Sequence, residues 1–306
     1  MRRGPNAQVA LIALHFGIVA ALGACSPVVA SESTPTATAV PPTAAPSRTP
    51  TAAPTATPSV TPTPVCIGEH GTIEETSYRS RLLARDVPLA VYLPPCYPED
   101  ESRLYPGVYL LHGKPYDENH WLDLGVVGTF EAGWREGRWG AAVLVMPRLP
   151  DPLFSSTDGG PNSYEAELME AVIPQIESGF RLRGAAEARS LAGISRGGVW
   201  ALEIGLTHSD SFDAVAALSP ALAVNHPRPA FDPFSLINSQ SDSGARFLLL
   251  AGEDDWAWPA SARLADQMQS AGWPIQLQLA AGNHSDPTWQ GVMTDVLSFL
   301  LPPGGG

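Results

Sequence analysis

The run Leu191-Ala192-Gly193-Ile194-Ser195-Arg196-Gly197-Gly198-Val199-Trp200-Ala201-Leu202 decides the fold. Residues 188–194 form a short apolar run that ends at Ser195, and residues 197–207 read as a helix. Gly-x-Ser-x-Gly between a strand and a helix is the nucleophile-elbow signature. The turn is so tight that the residues flanking the serine must be small, and the serine hydroxyl is pushed out above the sheet. The helix beneath it offers free N–H groups and a positive dipole end to a developing oxyanion.

The same alternation continues on either side. Segments 85–93, 107–111, 141–146, 214–218, 247–251 and 275–280 are apolar runs bounded by Gly, Pro and polar loops, the pattern of buried strands. Helical patterns lie between them, over 164–180 with Leu168, Ala171, Val172 and Ile176 on one face, over 260–271 and over 288–301. Strands alternating with helices predict an α/β fold, a mostly parallel central sheet with helices on both faces. In such sheets the working residues stand at the carboxyl ends of the strands. Attention therefore goes to the loops after Leu111, Ile194, Ala251 and Ala280.

A serine hydroxyl needs a neighbouring base to act as a nucleophile at neutral pH. In elbow enzymes the chain order is Ser, then an acid, then His. His284, in Gly282-Asn283-His284, follows a strand and precedes the last helix, where the base belongs. His226 lies in a Pro-rich stretch that reads as an exposed loop, and His208 stands at a helix C-terminus, where a His commonly partners the dipole. The acid is expected after the strand 247–251, where Glu253, Asp254 and Asp255 compete. Asp255 is preferred, Asp254 comes next, and the remaining carboxylates read as a solvated turn. The oxyanion hole needs two N–H groups, one from Arg196 after the nucleophile and one from His112-Gly113-Lys114-Pro115. Pro115 has no N–H, so Lys114 is the expected donor, with Gly113 behind it. Trp121, Trp200, Trp256, Trp258 and Trp289 lie near these loops, and Trp256 and Trp258 beside the acid are the pocket candidates. The long polar loop 150–163 is of the kind that caps active sites.

The chain around this device has its own logic. It has 306 residues, 44% hydrophobic and 16% charged, enough apolar content to bury a core. With 18 basic against 31 acidic residues the net charge is −13, which excludes a nucleic-acid partner, because that affinity rests on neutralising phosphates. Arg2 and Arg3 precede an apolar stretch over 9–22 and then Leu22-Gly23-Ala24-Cys25. This reads as a secretory signal over 1–25, too short for a span, which needs about 20 apolar residues. Its last four residues resemble a bacterial lipobox, in which the signal is cut before the cysteine and the sulfur carries a lipid. Residues 26–64 are almost all Thr, Pro, Ala, Ser and Val. They read as an extended linker whose reach approaches roughly 120 Å at about 3.1 Å per residue. A globular domain is expected over 65–303, tethered to a membrane only through a lipid on Cys25. The two other cysteines, Cys66 and Cys96, are expected to pair in an oxidising compartment. A bridge closing a loop of that size stabilises by roughly 3–4 kcal/mol in the chain-entropy model. Neither cysteine has a metal-ligand spacing, so no zinc site is expected.

The segments YLPPCY (92–97), YPGVYLLHG (105–113), Trp121, VLVMP (143–147), VIPQIESGFRL (172–182), LAGISRGGVWAL (191–202) and GNHSDPTWQ (282–290) are similar, in order and spacing, to the esterase D-like branch of the α/β-hydrolases. That branch includes feruloyl and acetylxylan esterases, enterochelin esterases, S-formylglutathione hydrolases and the mycolyltransferase antigens. The resemblance implies the α/β-hydrolase fold, a triad of Ser195, Asp255 and His284, no cofactor and no metal. It supports Asp255 over Asp254, because the family acid commonly follows Gly-x-x-Asp. The sequence departs from the family at His112-Gly113-Lys114-Pro115, where relatives often carry more glycine. The function implied is an extracytoplasmic, lipid-anchored serine esterase acting on a small-molecule or carbohydrate-linked ester. The alternatives are acyl transfer with the same triad, or a non-catalytic binding module at the cell surface.

Overall fold

Each of the seven apolar runs is a strand, but the last, IQLQLA at the sheet edge, is intermediate to exposed along its length rather than buried, because no further strand pairs beyond it. In the computed structural model, which describes residues 68–99, 101–240 and 244–304, they are β2 (Asp86–Leu93), β3 (Gly107–Leu111), β4 (Val143–Pro147), β5 (Arg189–Ile194), β6 (Ala214–Leu218), β7 (Arg246–Gly252) and β8 (Ile275–Ala280). The expected signal segment, linker, Cys25 and Cys66 lie outside the described residues. One further strand, β1 (Thr72–Arg79), precedes them and pairs antiparallel with β2. The sheet order is β1-β2-β4-β3-β5-β6-β7-β8. The β2–β4 pair is antiparallel, and every pair from β4 to β8 is parallel. This is the expected α/β-hydrolase architecture.

Strand alternation divides the core into two layers. On one face Val91, Tyr109, Leu111, Val145, Leu191, Val215 and Leu249 pack with side chains of α5 (Arg196–Thr207), α6 (Pro233–Ser239) and α7 (Trp258–Ser270), among them Trp200, Leu236 and Leu264. On the other, Ala90, Tyr92, Leu110, Met146, Ala192, Ala216 and Leu250 meet Trp121 of α1 (His120–Asp123), Phe130 of α2 (Val126–Arg135), Trp289 of α8 (Asp286–Gly291) and Val296 of α9 (Met293–Leu300). Because both faces are covered, β3 to β7 are apolar along almost their whole length.

Two helices expected as continuous are divided. The 164–180 pattern is α3 (Tyr164–Glu167), a π turn over Leu168–Val172 and α4 (Ile173–Gly179). Pro174 in the first turn of α4 has no N–H to give to the preceding turn, and a wider turn before it accommodates that loss. The final pattern is α8 and α9, separated at Val292, whose φ of −105° and ψ of 2° leave the helical region. The first of these starts at Asp286 rather than Thr288, capped in extended conformation by Ser285.

Candidate active site

Ser195 stands at the end of β5 with φ 55° and ψ −114°. A non-glycine residue in such a region costs about 1–3 kcal/mol, and such strain persists only where the surroundings fix it. Here they do. The Ser195 N–H donates to the Leu218 carbonyl of the adjacent strand at 2.9 Å, and the Ser195 carbonyl accepts from the Ala221 N–H at 3.0 Å. The elbow's glycines are required by close approach. A Cβ on Gly193 would lie 2.0 Å from the Gly197 carbonyl oxygen, and one on Gly197 would lie 2.4 Å from that of His112. Both gaps are well inside van der Waals contact, so a side chain at either position would force the strand and helix apart.

The ends of β7 and β8 bring the other two groups to the serine. A Cβ on Gly252 would lie 2.2 Å from the Gly282 carbonyl oxygen, and that same carbonyl accepts from the Asp254 N–H at 2.9 Å. Gly282 has φ 107°, a conformation open to glycine. The two loops are thereby locked side by side. His284 Nδ1 is 3.0 Å from Asp255 Oδ1 and 3.2 Å from Oδ2, and His284 Nε2 is 3.0 Å from Ser195 Oγ. The three residues singled out in the sequence thus form one continuous hydrogen-bonded chain. The ionised carboxylate only accepts, which places the imidazole proton on Nδ1 and leaves Nε2 to accept from the Ser195 hydroxyl.

Asp255 is 4% exposed, whereas Glu253 and Asp254 face solvent. Burial pushes the Asp255 pKa upward, but hydrogen bonds from His284, the Ser219 hydroxyl and the Ala257 N–H outweigh it and hold the pKa below the ordinary carboxylate value. The Ala257 N–H bond is 2.8 Å long. His226 is exposed, and His208 bonds Glu165 Oε1 at 2.7 Å, so neither approaches the serine chain.

The loop expected to carry the second oxyanion donor is held by two histidines, His112 and His120, whose roles carry no local sequence signal. Each is at most 2% exposed. His112 donates from Nδ1 to the Gly113 carbonyl at 2.8 Å and accepts from the Leu149 N–H through Nε2 at 2.9 Å. With both nitrogens so engaged it is a neutral strut, and burial lowers its pKa to about 4. His120 accepts the Gly113 N–H on Nδ1 at 3.3 Å and faces Asp286 Oδ1 through Nε2 at 3.5 Å. Burial lowers its pKa as well. Tyr116 stacks on His120 at 3.7 Å between centroids and donates to the same Asp286 oxygen at 3.0 Å. The segment 113–116 is in this way stapled to the helix that follows His284. Since the Gly113 N–H is turned to His120, the loop's N–H at Lys114 stays open. Neither the Lys114 nor the Arg196 N–H has a hydrogen-bond partner among the described residues.

The Arg196 side chain donates to the carbonyls of Phe154 and Ser155 at 3.3 and 2.6 Å, tying loop 150–163 to the elbow. That loop is anchored at its far end by the Gly160 N–H on Glu165 Oε2 and by an ion pair of Asp158 with Arg228. Of the tryptophans, Trp121, Trp200 and Trp289 are buried in the core, and Trp258 begins α7 half-buried. Trp256 is 45% exposed and stacks on His284 with centroids 4.4 Å apart. It is the one that borders the site from solvent. A cleft of about 640 Å³ lies beside the oxyanion loop, lined by Lys114, Tyr116, Leu149, Phe154, Arg85 and Arg148 among others. No cluster of three or more His, Cys, Asp or Glu residues suited to a metal ion occurs among the described residues.

Cys96 takes part in a disulfide, while its expected partner Cys66 lies outside the described residues. No helix among the described residues is long and apolar enough to cross a membrane.

The family described as "Putative esterase" matches residues 80–300. An uncharacterized protein of Corynebacterium glutamicum is 24% identical over 262 residues, covering 77% of this chain and 61% of its own. The chain thus spans about three-fifths of the length of that curated relative. Among solved structures, a ferulic acid esterase superposes with a TM-score of 0.68 at 22% identity, over 76% of this chain and 98% of its own. S-formylglutathione hydrolase from Staphylococcus aureus superposes with a TM-score of 0.64 at 18% identity, over 76% and 100%. At these identities the structural likeness speaks for the fold.

Proposed function

Because the chain belongs to the Esterase family, we propose that it is a serine ester hydrolase working through Ser195, His284 and Asp255 with a covalent acyl-enzyme. The observation that carries this reading is the unbroken chain from Asp255 through His284 to Ser195, with 3.0 Å at each link, ending beside two open N–H groups. Ser195 Oγ attacks the ester carbonyl carbon while its proton passes to His284 Nε2. The Lys114 and Arg196 N–H groups receive the negative oxygen of the tetrahedral intermediate. Asp255 stays ionised and stabilises the imidazolium that forms. As the intermediate collapses, the alcohol leaves with the proton from Nε2. A water then repeats the sequence on the acyl-enzyme, delivering a proton to His284 and hydroxide to the carbonyl, and Ser195 is released with the acid product.

The likeness to a ferulic acid esterase and to S-formylglutathione hydrolase puts both aryl-acid esters and thioesters within this reading. Exposed Trp256 against His284 provides an apolar wall for the acyl or alcohol group. The test is turnover of p-nitrophenyl esters of increasing chain length, with feruloyl and acetylated sugars alongside. Hydrolysis of at least the short-chain esters is expected. No turnover of any ester, together with no covalent labelling by a fluorophosphonate, would contradict the reading.

The location is proposed on sequence alone: export, then anchoring through a lipid on Cys25 at the extracytoplasmic face. Cys25→Ser is expected to release the protein into the medium or leave it unprocessed, as fractionation and mass of the mature chain would read. Membrane association and processing unchanged from wild type would contradict a lipid anchor. We further propose Cys66 as the disulfide partner of Cys96. Gly68 supports this, since a Cβ there would lie 3.6 Å from Cys96 Sγ, which brings the chain two residues from Cys66 to the bridge. Alkylation of exported protein without reductant is expected to modify neither cysteine, and peptide mapping to recover them joined. Two alkylated thiols would refute the pairing.

A further inference from the structure

We propose that the cleft beside the oxyanion loop is an anion subsite: it receives a carboxylate that the ester carries at the far end of a short apolar arm, and Arg85 and Lys114 recognise it. The inference rests on the esterase reading above and adds a substrate class to it.

The loop that lines this cleft also touches the nucleophile. A Cβ on Gly113 would lie 3.4 Å from Ser195 Cβ. The next three residues, Lys114, Pro115 and Tyr116, line the cleft of about 640 Å³, a volume suited to a small ligand. An ester whose carbonyl oxygen sits at the Lys114 N–H therefore has the cleft beside it for one of its two arms.

The lining combines apolar surface with charge. Leu149 and Phe154 supply apolar wall. Phe154 is fixed there, with its ring edge-on to the His112 ring at 5.1 Å and its carbonyl accepting from Arg196 at 3.3 Å. Three carboxylates also line the cleft, and each has a partner. Asp117 Oδ2 accepts from Arg148 Nη2 at 3.0 Å, Asp86 Oδ1 from Arg79 Nη1 at 3.3 Å, and Asp151 Oδ1 from the Ser155 hydroxyl at 2.7 Å. Arg148 is engaged as well, since Glu118 accepts from its Nε at 2.5 Å.

Arg85 and Lys114 differ from these. Both are exposed, and neither side chain has an ion pair or hydrogen bond among the described residues. The chain as a whole carries a net charge of −13, so its overall field repels an anion. Two cations without counter-charges in one cleft oppose that field locally. Arginine offers paired N–H groups that match a carboxylate, and lysine adds a point charge on a flexible stem. A chain of methylenes ending in a carboxylate uses both features, the methylenes against Leu149 and Phe154 and the charge on the cations.

Matched esters test the proposal. Monomethyl adipate and methyl hexanoate have acyl chains of equal length, and only the first ends in a carboxylate. The pair 6-acetoxyhexanoate and hexyl acetate sets the same contrast on the alcohol side. At low ionic strength kcat/KM is expected to be about tenfold higher for the carboxylate ester in one of the two pairs, and that pair identifies the arm. Raising salt to about 1 M, where the screening length is about 3 Å, should bring the ratio within about threefold. Arg85→Gln should lower the ratio to about threefold, and Arg85→Lys should restore part of it. Lys114→Gln, which keeps the backbone N–H, should lower the same ratio, and the double variant should abolish it. The neutral ester of each pair is the internal reference for every variant. Carboxylate esters no faster than their neutral twins in both pairs, or a preference that survives in the double variant, would overturn the proposal. Fluorophosphonate labelling of Ser195 without a preference in either pair removes only the anion subsite. No labelling and no turnover of any ester removes the esterase reading and the subsite with it.

Discussion

Ser195→Ala is expected to reduce ester hydrolysis by about 10⁶ in kcat while leaving the fold intact, the scale lost when a triad serine is removed from a well-studied protease. The size of the effect follows from what the hydroxyl does. In the proposed mechanism it supplies the attacking oxygen, and none of the groups around it can replace that oxygen. The Lys114 and Arg196 N–H groups would remain, so the small residual rate should come from oxyanion stabilisation and substrate binding alone. The fold is not at risk, because the hydrogen bonds that hold position 195 come from its backbone N–H and carbonyl. Alanine meets the same φ of 55° that serine does. The measurement is kcat on one activated ester, with circular dichroism of both proteins. Activity within tenfold of wild type in a folded Ser195→Ala protein would remove the serine from the mechanism.

Asp255→Asn is expected to lower kcat by about 10⁴, the scale seen when a neutral amide replaces the acid and favours the wrong imidazole tautomer. An asparagine can donate to His284 Nδ1, which would put the ring proton on Nε2 and block acceptance from Ser195. The neighbouring Asp254→Asn and Glu253→Gln should lose far less, because both side chains face solvent while Asp255 is 4% exposed and 3.0 Å from the imidazole. Comparing kcat/KM of the three variants on one ester separates them. A large loss in Asp254→Asn with Asp255→Asn near wild type would move the acid by one residue.

The seven strands and the positions of Ser195, Asp255 and His284 were legible because strong local signals mark them. The central strands β3 to β7 are short, buried, mostly apolar runs, β2 and the exposed edge strand β8 (IQLQLA) show through their regularly spaced apolar residues, and the elbow needs glycine on both sides of its serine. The missing pieces lack such signals. Strand β1, TIEETSYR, is an edge strand with only Tyr78 buried, so its sequence carries neither an apolar run nor a clean alternation. The helix over Val126–Arg135 contains two glycines and a threonine, which weaken its local propensity. It forms because Phe130 and Val126 bury against the sheet. His112 and His120 resembled other loop histidines, since their role depends on partners far along the chain, Leu149 and Asp286.

The most direct test is to trap the nucleophile. Wild-type protein treated with a fluorophosphonate should gain the mass of one adduct, lose esterase activity in proportion, and yield the adduct on Ser195 when its peptides are mapped. The label should be absent from Ser195→Ala and slow to form in Asp255→Asn. An active esterase that takes up no label, or one whose label maps to a residue other than Ser195, would contradict the account.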